Sequence, residues 1–94
     1  MKKRTELELL KNLKEKRKDI DLIDQKLLSL ISQRLCITLE IGEIKEEMGE
    51  KIYDPGREKE VLGKLKLKNK GPLEAKELKK IFGTIMEICR KSQN

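Results

Sequence analysis

The stretch TELELLKNLKEKRKDIDLIDQKLLSLISQRLCITLEIGEIKEEMG, residues 5–49, decides the fold. Thr5 with Glu8 three residues later forms a capping box, and an apolar run follows at once. No proline intervenes before Met48, and Gly49 is a natural helix end. The stretch therefore reads as one helix over about residues 6–48, roughly 65 Å long at 1.5 Å per residue. A helix longer than a small domain is wide cannot bury itself against its own chain alone.

The rest of the chain is shorter work. Ile52-Tyr53 belongs to a connection. Asp54 caps a second helix, about 55–68, with Pro55 at its first position. Val61, Leu62 and Leu65 give it an apolar side, and Asn69-Lys70-Gly71-Pro72 breaks it. A third helix runs from about Leu73 to residue 92, with Leu78, Ile81, Phe82, Ile85, Ile88 and Cys89 along one side. No internal repeat, low-complexity segment or strand signal interrupts this pattern. The expected fold is all-α, three helices with one very long.

Composition sets the bounds. Ninety-four residues make one domain, 1–94, too small for a second core. With 36% hydrophobic and 43% charged residues, the chain suits thin amphipathic helices. A chain this small and polar often completes its core by oligomerising. Cys36 and Cys89 are too few for a disulfide framework and read as small hydrophobes in a reducing cytosol. Met1 to Arg4 is basic, but charged residues interrupt the segment after it, so no signal-peptide core is expected. Nothing approaches a membrane-spanning length. A soluble, cytoplasmic protein with no membrane partner is expected.

The net charge of +6 raises the question of nucleic acid. Most of the excess sits in Lys2, Lys3, Arg4, Lys11, Lys14, Lys16, Arg17 and Lys18, whose ordinary meaning is a solvated face. Tyr53 and Phe82 are the only aromatics, so stacking platforms are missing. Nucleic-acid binding is not expected.

Charges also interrupt the long helix where a seam should be apolar. Steps of three and four residues give Leu13, Arg17, Ile20, Asp24, Leu27, Ile31, Arg34, Thr38, Ile41 and Lys45. As packing alone, this is a coiled-coil seam with register-setting polar residues, internal ion pairs and long side chains that snorkel out. Yet three cations against one acid leave positive charge facing inward, and buried anions could satisfy it. Arg34 and Lys45 lie about 16 Å apart along the axis, within joint reach of one small ligand. Arg17 lies about 25 Å from Arg34, too far to join them from the same helix. If Arg17 binds ligand, it serves a site in another copy, as a two-fold dimer of antiparallel long helices would arrange.

Other chemistries lack their residues. The chain has no histidine, no Cys/His metal spacing, no glycine-rich phosphate loop and no Ser/His/Asp set. An enzyme built this way must work mainly by positioning and fixed charge. A unimolecular rearrangement of an anion fits.

Segment RKDIDLIDQKLLSLISQR (17–34) resembles the opening helix of the all-helical (AroQ-class) chorismate mutases. The resemblance continues through Ile41-Gly-Glu-Ile-Lys45, Asp54-Pro-Gly-Arg57-Glu58 and Phe82 to Gln93. It implies an intertwined homodimeric helical bundle that converts chorismate, a dianion, to prephenate in phenylalanine and tyrosine biosynthesis. The reaction it implies is a cofactor-free Claisen rearrangement. By the same resemblance Arg34 grips one substrate carboxylate and Arg17 of the partner chain grips a carboxylate as well. Lys45 holds a carboxylate and donates to the ether oxygen, and Gln93 is the second donor there. Glu58 and the Asp54 region bind the ring hydroxyl, and Arg57 assists at a carboxylate. Cys89 stands where the family often places a small polar residue near a carboxylate; the cysteine is a departure that reads as packing, at the edge of the substrate-binding set. Asp24 matches the pattern with a structural role.

Two other readings share these features. An isochorismate–pyruvate lyase on the same fold would use the same cations and glutamine, but that family lacks an acid where Glu58 stands, which favours the mutase. A non-catalytic helical interaction or regulatory module would have little need of the whole Arg17, Arg34, Lys45, Glu58 and Gln93 set.

Overall fold

In a computed structural model describing residues 3–93, the chain forms α1 (Glu6–Met48), α2 (Pro55–Lys68) and α3 (Ala75–Ser92). No strand occurs among the described residues, and no helix is long and apolar enough to cross a membrane. The backbone N–H of Glu8 donates to Thr5 Oγ1 at 3.2 Å, supplying the Thr5 half of the expected cap.

The end of α1 follows from Gly49. Its φ of 69° lies in the left-handed region that glycine enters without a Cβ penalty. Gly49 N–H donates to the Glu46 carbonyl at 3.1 Å, and Glu50 N–H to the Lys45 carbonyl at 2.8 Å. This pair of bonds is a Schellman motif, which satisfies two orphan carbonyls and turns the chain sharply.

α2 starts where Asp54 Oδ1 accepts from Arg57 N–H at 3.0 Å, with Pro55 opening the helix. After Lys68, Asn69 organises the turn: its Nδ2 donates to the Leu73 carbonyl at 2.7 Å. The third helix consequently begins at Ala75, later than the Leu73 start expected from sequence. Glu74 is still extended, at φ −78° and ψ 154°, and its N–H donates to Glu77 Oε1 at 3.0 Å.

The described residues divide into two compact units, one ending at Ser32 and the other starting at Gln33. In the first, every leucine and isoleucine is exposed, from Leu7 at 78% to Ile31 at 42%. Helix propensity alone does not hold such a surface in water. The second unit carries the chain's small core, Leu78, Met86 and Cys89, all on α3. α2 packs on α3, with Val61, Leu62 and Leu65 half-buried as expected. The buried arc of α3 is rotated from the expected one. Met86 is inside, Phe82 and Ile85 are half-buried, and Ile81 and Ile88 are exposed. At 100° per residue the arc centres on Phe82 and Cys89, and Ile81 and Ile88 fall on its flank.

Candidate active site

A pocket of about 270 Å³ opens within the second unit. Three helices and one connection supply its walls. From α1 come Arg34, Ile37, Thr38, Ile41 and Lys45; Ile52 and Asp54 follow; from α2 come Arg57, Glu58 and Val61; from α3 come Met86, Cys89 and Arg90, with Gln93 at its C-cap. Apolar and polar side chains line it together, the usual make-up of a small-molecule site. Arg34, Lys45, Arg57 and Arg90 line it with Asp54 and Glu58, an excess of positive charge that suits an anionic ligand.

Most of the polar side chains are held by a specific partner. Lys45 sits in the last turn of α1, and its Nζ donates to the Ile52 carbonyl at 3.0 Å. The Gly49 turn brings that carbonyl back, so one helix end fixes both partners. An ammonium has three N–H donors, and two remain for an anion. Arg34 is half-buried and directs Nη1 to Cys89 Sγ at 3.0 Å. Cys89 itself is 4% exposed, so the sulfur is both core and pocket wall.

Gln93 is held against α1 although it lies one residue from the end of the chain. Its Nε2 donates to the Thr38 carbonyl at 2.7 Å. The close approach depends on Gly42: a Cβ there would stand 3.1 Å from Gln93 Cγ and 3.3 Å from Gln93 Cβ. One amide N–H is used on Thr38, leaving the second for a ligand.

Glu58 and Arg90 form a pair at 2.8 Å, Arg90 Nη1 to Glu58 Oε2, joining α2 to α3. Arg90 Cζ also lies 4.5 Å from the centroid of the Tyr53 ring, a cation–π contact. Sequence reasoning passed over Arg90, because its partners lie far along the chain and no periodicity marks them. Arg57 turns outward: its Nη1 meets Glu60 Oε1 at 3.1 Å with both side chains more than half exposed. Lys64, by its hydrogen bond and then its charge, holds the Glu60 carboxyl below its ordinary value, and the Arg57 charge adds to this. Asp54 commits Oδ1 to the α2 cap.

The remaining expected residue, Arg17, belongs to the first unit. Arg17 is exposed and borders a separate concavity with Leu10, Leu13, Lys14, Lys18 and Asp21 in the first unit. Asp24 is exposed as well. The pocket thus brings together Arg34, Lys45, Asp54, Arg57, Glu58, Cys89 and Gln93, and does not include Arg17.

Comparison with known proteins gives one consistent result. A family model described as chorismate mutase type II matches residues 16–94. A bifunctional chorismate mutase/prephenate dehydratase of Aquifex aeolicus is 36% identical over 84 residues, which cover 85% of this chain and 23% of that protein. A chorismate mutase of Methanocaldococcus jannaschii is 40% identical over 58 residues, covering 62% of this chain and 59% of that one. Among solved structures, a chorismate mutase (form II) of Thermus thermophilus superimposes with a TM-score of 0.85 at 32% identity, covering 87% of this chain and 93% of that chain. The chain spans less than a quarter of the length of the bifunctional relatives it matches.

Proposed function

Because the chain belongs to the chorismate mutase type II family, we propose that its pocket converts chorismate to prephenate. The observation that carries this reading is the convergence of Arg34, Lys45, Glu58 and Gln93, from two helices and the C-cap of the third, on one cavity of about 270 Å³. The substrate class fits the excess of positive charge, since chorismate carries two carboxylates.

The residues present suit a reaction in which no group on the protein forms a bond. Arg34 and Lys45 hold the carboxylates and select the folded conformer in which the two reacting carbons meet. As the C–O bond breaks, negative charge grows on the ether oxygen. Lys45 Nζ and the second N–H of Gln93 are the donors we assign to that oxygen. Their attraction strengthens as the charge develops, so they lower the barrier rather than only binding substrate. Glu58 accepts from the ring hydroxyl, with the Asp54 region beside it. Arg57 lines the same wall and assists at a carboxylate after leaving Glu60.

Arg17 is assigned to the pocket of a second copy. The exposed leucines and isoleucines of α1 support this, because a surface of that kind marks an interface. A two-fold pair of chains would cover it twice over and bring each Arg17 to its partner's site. The same reading puts the protein in the cytosol, where thiols such as the free Cys36 and Cys89 stay reduced. The test is direct: purified protein is given chorismate, and the loss of chorismate and appearance of prephenate are followed. Absence of turnover at micromolar protein, with the helices intact by circular dichroism, overturns the assignment.

A further inference from the structure

The Glu58–Arg90 pair differs from the other ion pairs described. Lys16–Asp19, Arg57–Glu60, Lys64–Glu60 and Lys91–Glu87 each link neighbours on one helix, with side chains 49–83% exposed. Such pairs are screened by water and contribute little. Arg90 and Glu58 are 30% and 27% exposed, lie on different helices, and both face the pocket. Arg90 is fixed from a second side by the Tyr53 ring.

A carboxylate in a pocket for a dianion is a hazard in two ways. It repels the ligand, and it competes with the ligand for Arg34 and Lys45. A third cation committed to Glu58 removes both problems while leaving one carboxylate oxygen usable. We propose that Arg90 is a positioning residue for the reaction: it takes Glu58 Oε2, leaves Oε1 to accept the substrate hydroxyl, and keeps Glu58 away from the two anion-binding cations. Tyr53 in turn keeps Arg90 in place. This rests on the mutase reading above, and on Glu58 as the hydroxyl's acceptor.

The experiment is a double-mutant cycle on kcat/KM with chorismate, using Arg90→Leu, Glu58→Gln and both together. With Glu58 intact, Arg90→Leu should cost about tenfold or more, the scale of a lost hydrogen bond to a charged group. With Glu58→Gln, the same change should cost less than about threefold, because the neutral amide no longer threatens Arg34 and Lys45. Arg90→Lys, which keeps the charge but not the fork, should recover part of the loss. Tyr53→Leu changes an exposed ring and should fold regardless. It should cost roughly two- to fivefold with Glu58 intact, the range of a cation–π contact, and nothing with Glu58→Gln. Equal losses in both backgrounds overturn the proposal, since a direct substrate contact or a purely structural Arg90 would behave that way. If Arg90→Leu does not fold, the Tyr53 and Arg90→Lys cycles decide by the same criterion. A wild-type protein without turnover rejects the mutase reading itself, and the proposal with it; an active wild type with additive losses rejects only the role of Arg90.

Discussion

Lys45 and Gln93 share a design: each spends one N–H on a backbone carbonyl and keeps another for the pocket. Lys45 is tethered to Ile52 and Gln93 to Thr38. Tethering lowers the entropy lost when substrate arrives, because the side chain is already ordered. The two differ in chemistry, however. An ammonium carries charge, whereas an amide is a neutral donor at any ordinary pH. Gln93→Glu therefore separates them. A carboxyl donates only when protonated, and when ionised it repels charge developing on the ether oxygen. The variant should be weak at neutral pH and gain activity as pH falls toward the ordinary glutamate range, about 4.3. Wild type should show no such rise. Profiles of kcat/KM against pH for both proteins check this, and coincident profiles would remove Gln93 from the reacting oxygen.

Helix ends decide where these residues stand, and the two glycines Gly49 and Gly63 show how differently one residue type can act. Gly49 has φ of 69°, where a Cβ is strained, although nothing lies within 4 Å of the position. Gly49→Ala should destabilise by about 1 kcal/mol, the scale of left-handed strain in an L-residue. Gly63 lies inside α2 with open space around its Cβ position. Gly63→Ala should stabilise by about 0.5–1 kcal/mol through helix propensity. Opposite signs in urea denaturation check the pair, and only the Gly49 change should also reduce activity, since that turn returns Ile52 to Lys45. Much of this was legible in the sequence. Gly49, Asp54-Pro55 and the proline-free run before Met48 are local signals, and local signals set helix ends. The late start of α3 was not legible, because it depends on Asn69 reaching the Leu73 carbonyl across the turn. Met86 in the core and Arg90 on Glu58 depend on how α2 and α3 pack, and Gly42 matters only because Gln93 lies against it. Spacing along one helix carries no sign of such contacts.

At the scale of the whole molecule, the single chain leaves two needs unmet. The leucines and isoleucines of α1, Leu35 excepted, are exposed, and the pocket does not include the arginine that the family resemblance assigns to it. The proposed second copy of the chain would meet both at once, so one arrangement accounts for the two facts together. Sedimentation should give a dimer at micromolar concentration, but mass alone does not test the sharing of sites. Complementation does. Arg17→Ala and Arg34→Ala chains should each be nearly inactive as homodimers, because every site lacks one of the two arginines. In a mixed dimer, the lesions distribute unequally. The pocket of the Arg17→Ala chain keeps its own Arg34 but receives Arg17 from the Arg34→Ala chain, so it is whole. The other pocket carries both lesions. Each mixed dimer should therefore recover about half the wild-type kcat, with KM near wild type, since its one good site is complete. If subunit exchange is verified by differential tagging and no activity returns, Arg17 acts within its own chain or not at all. If the two homodimers are already active, Arg17 and Arg34 do not hold the substrate carboxylates.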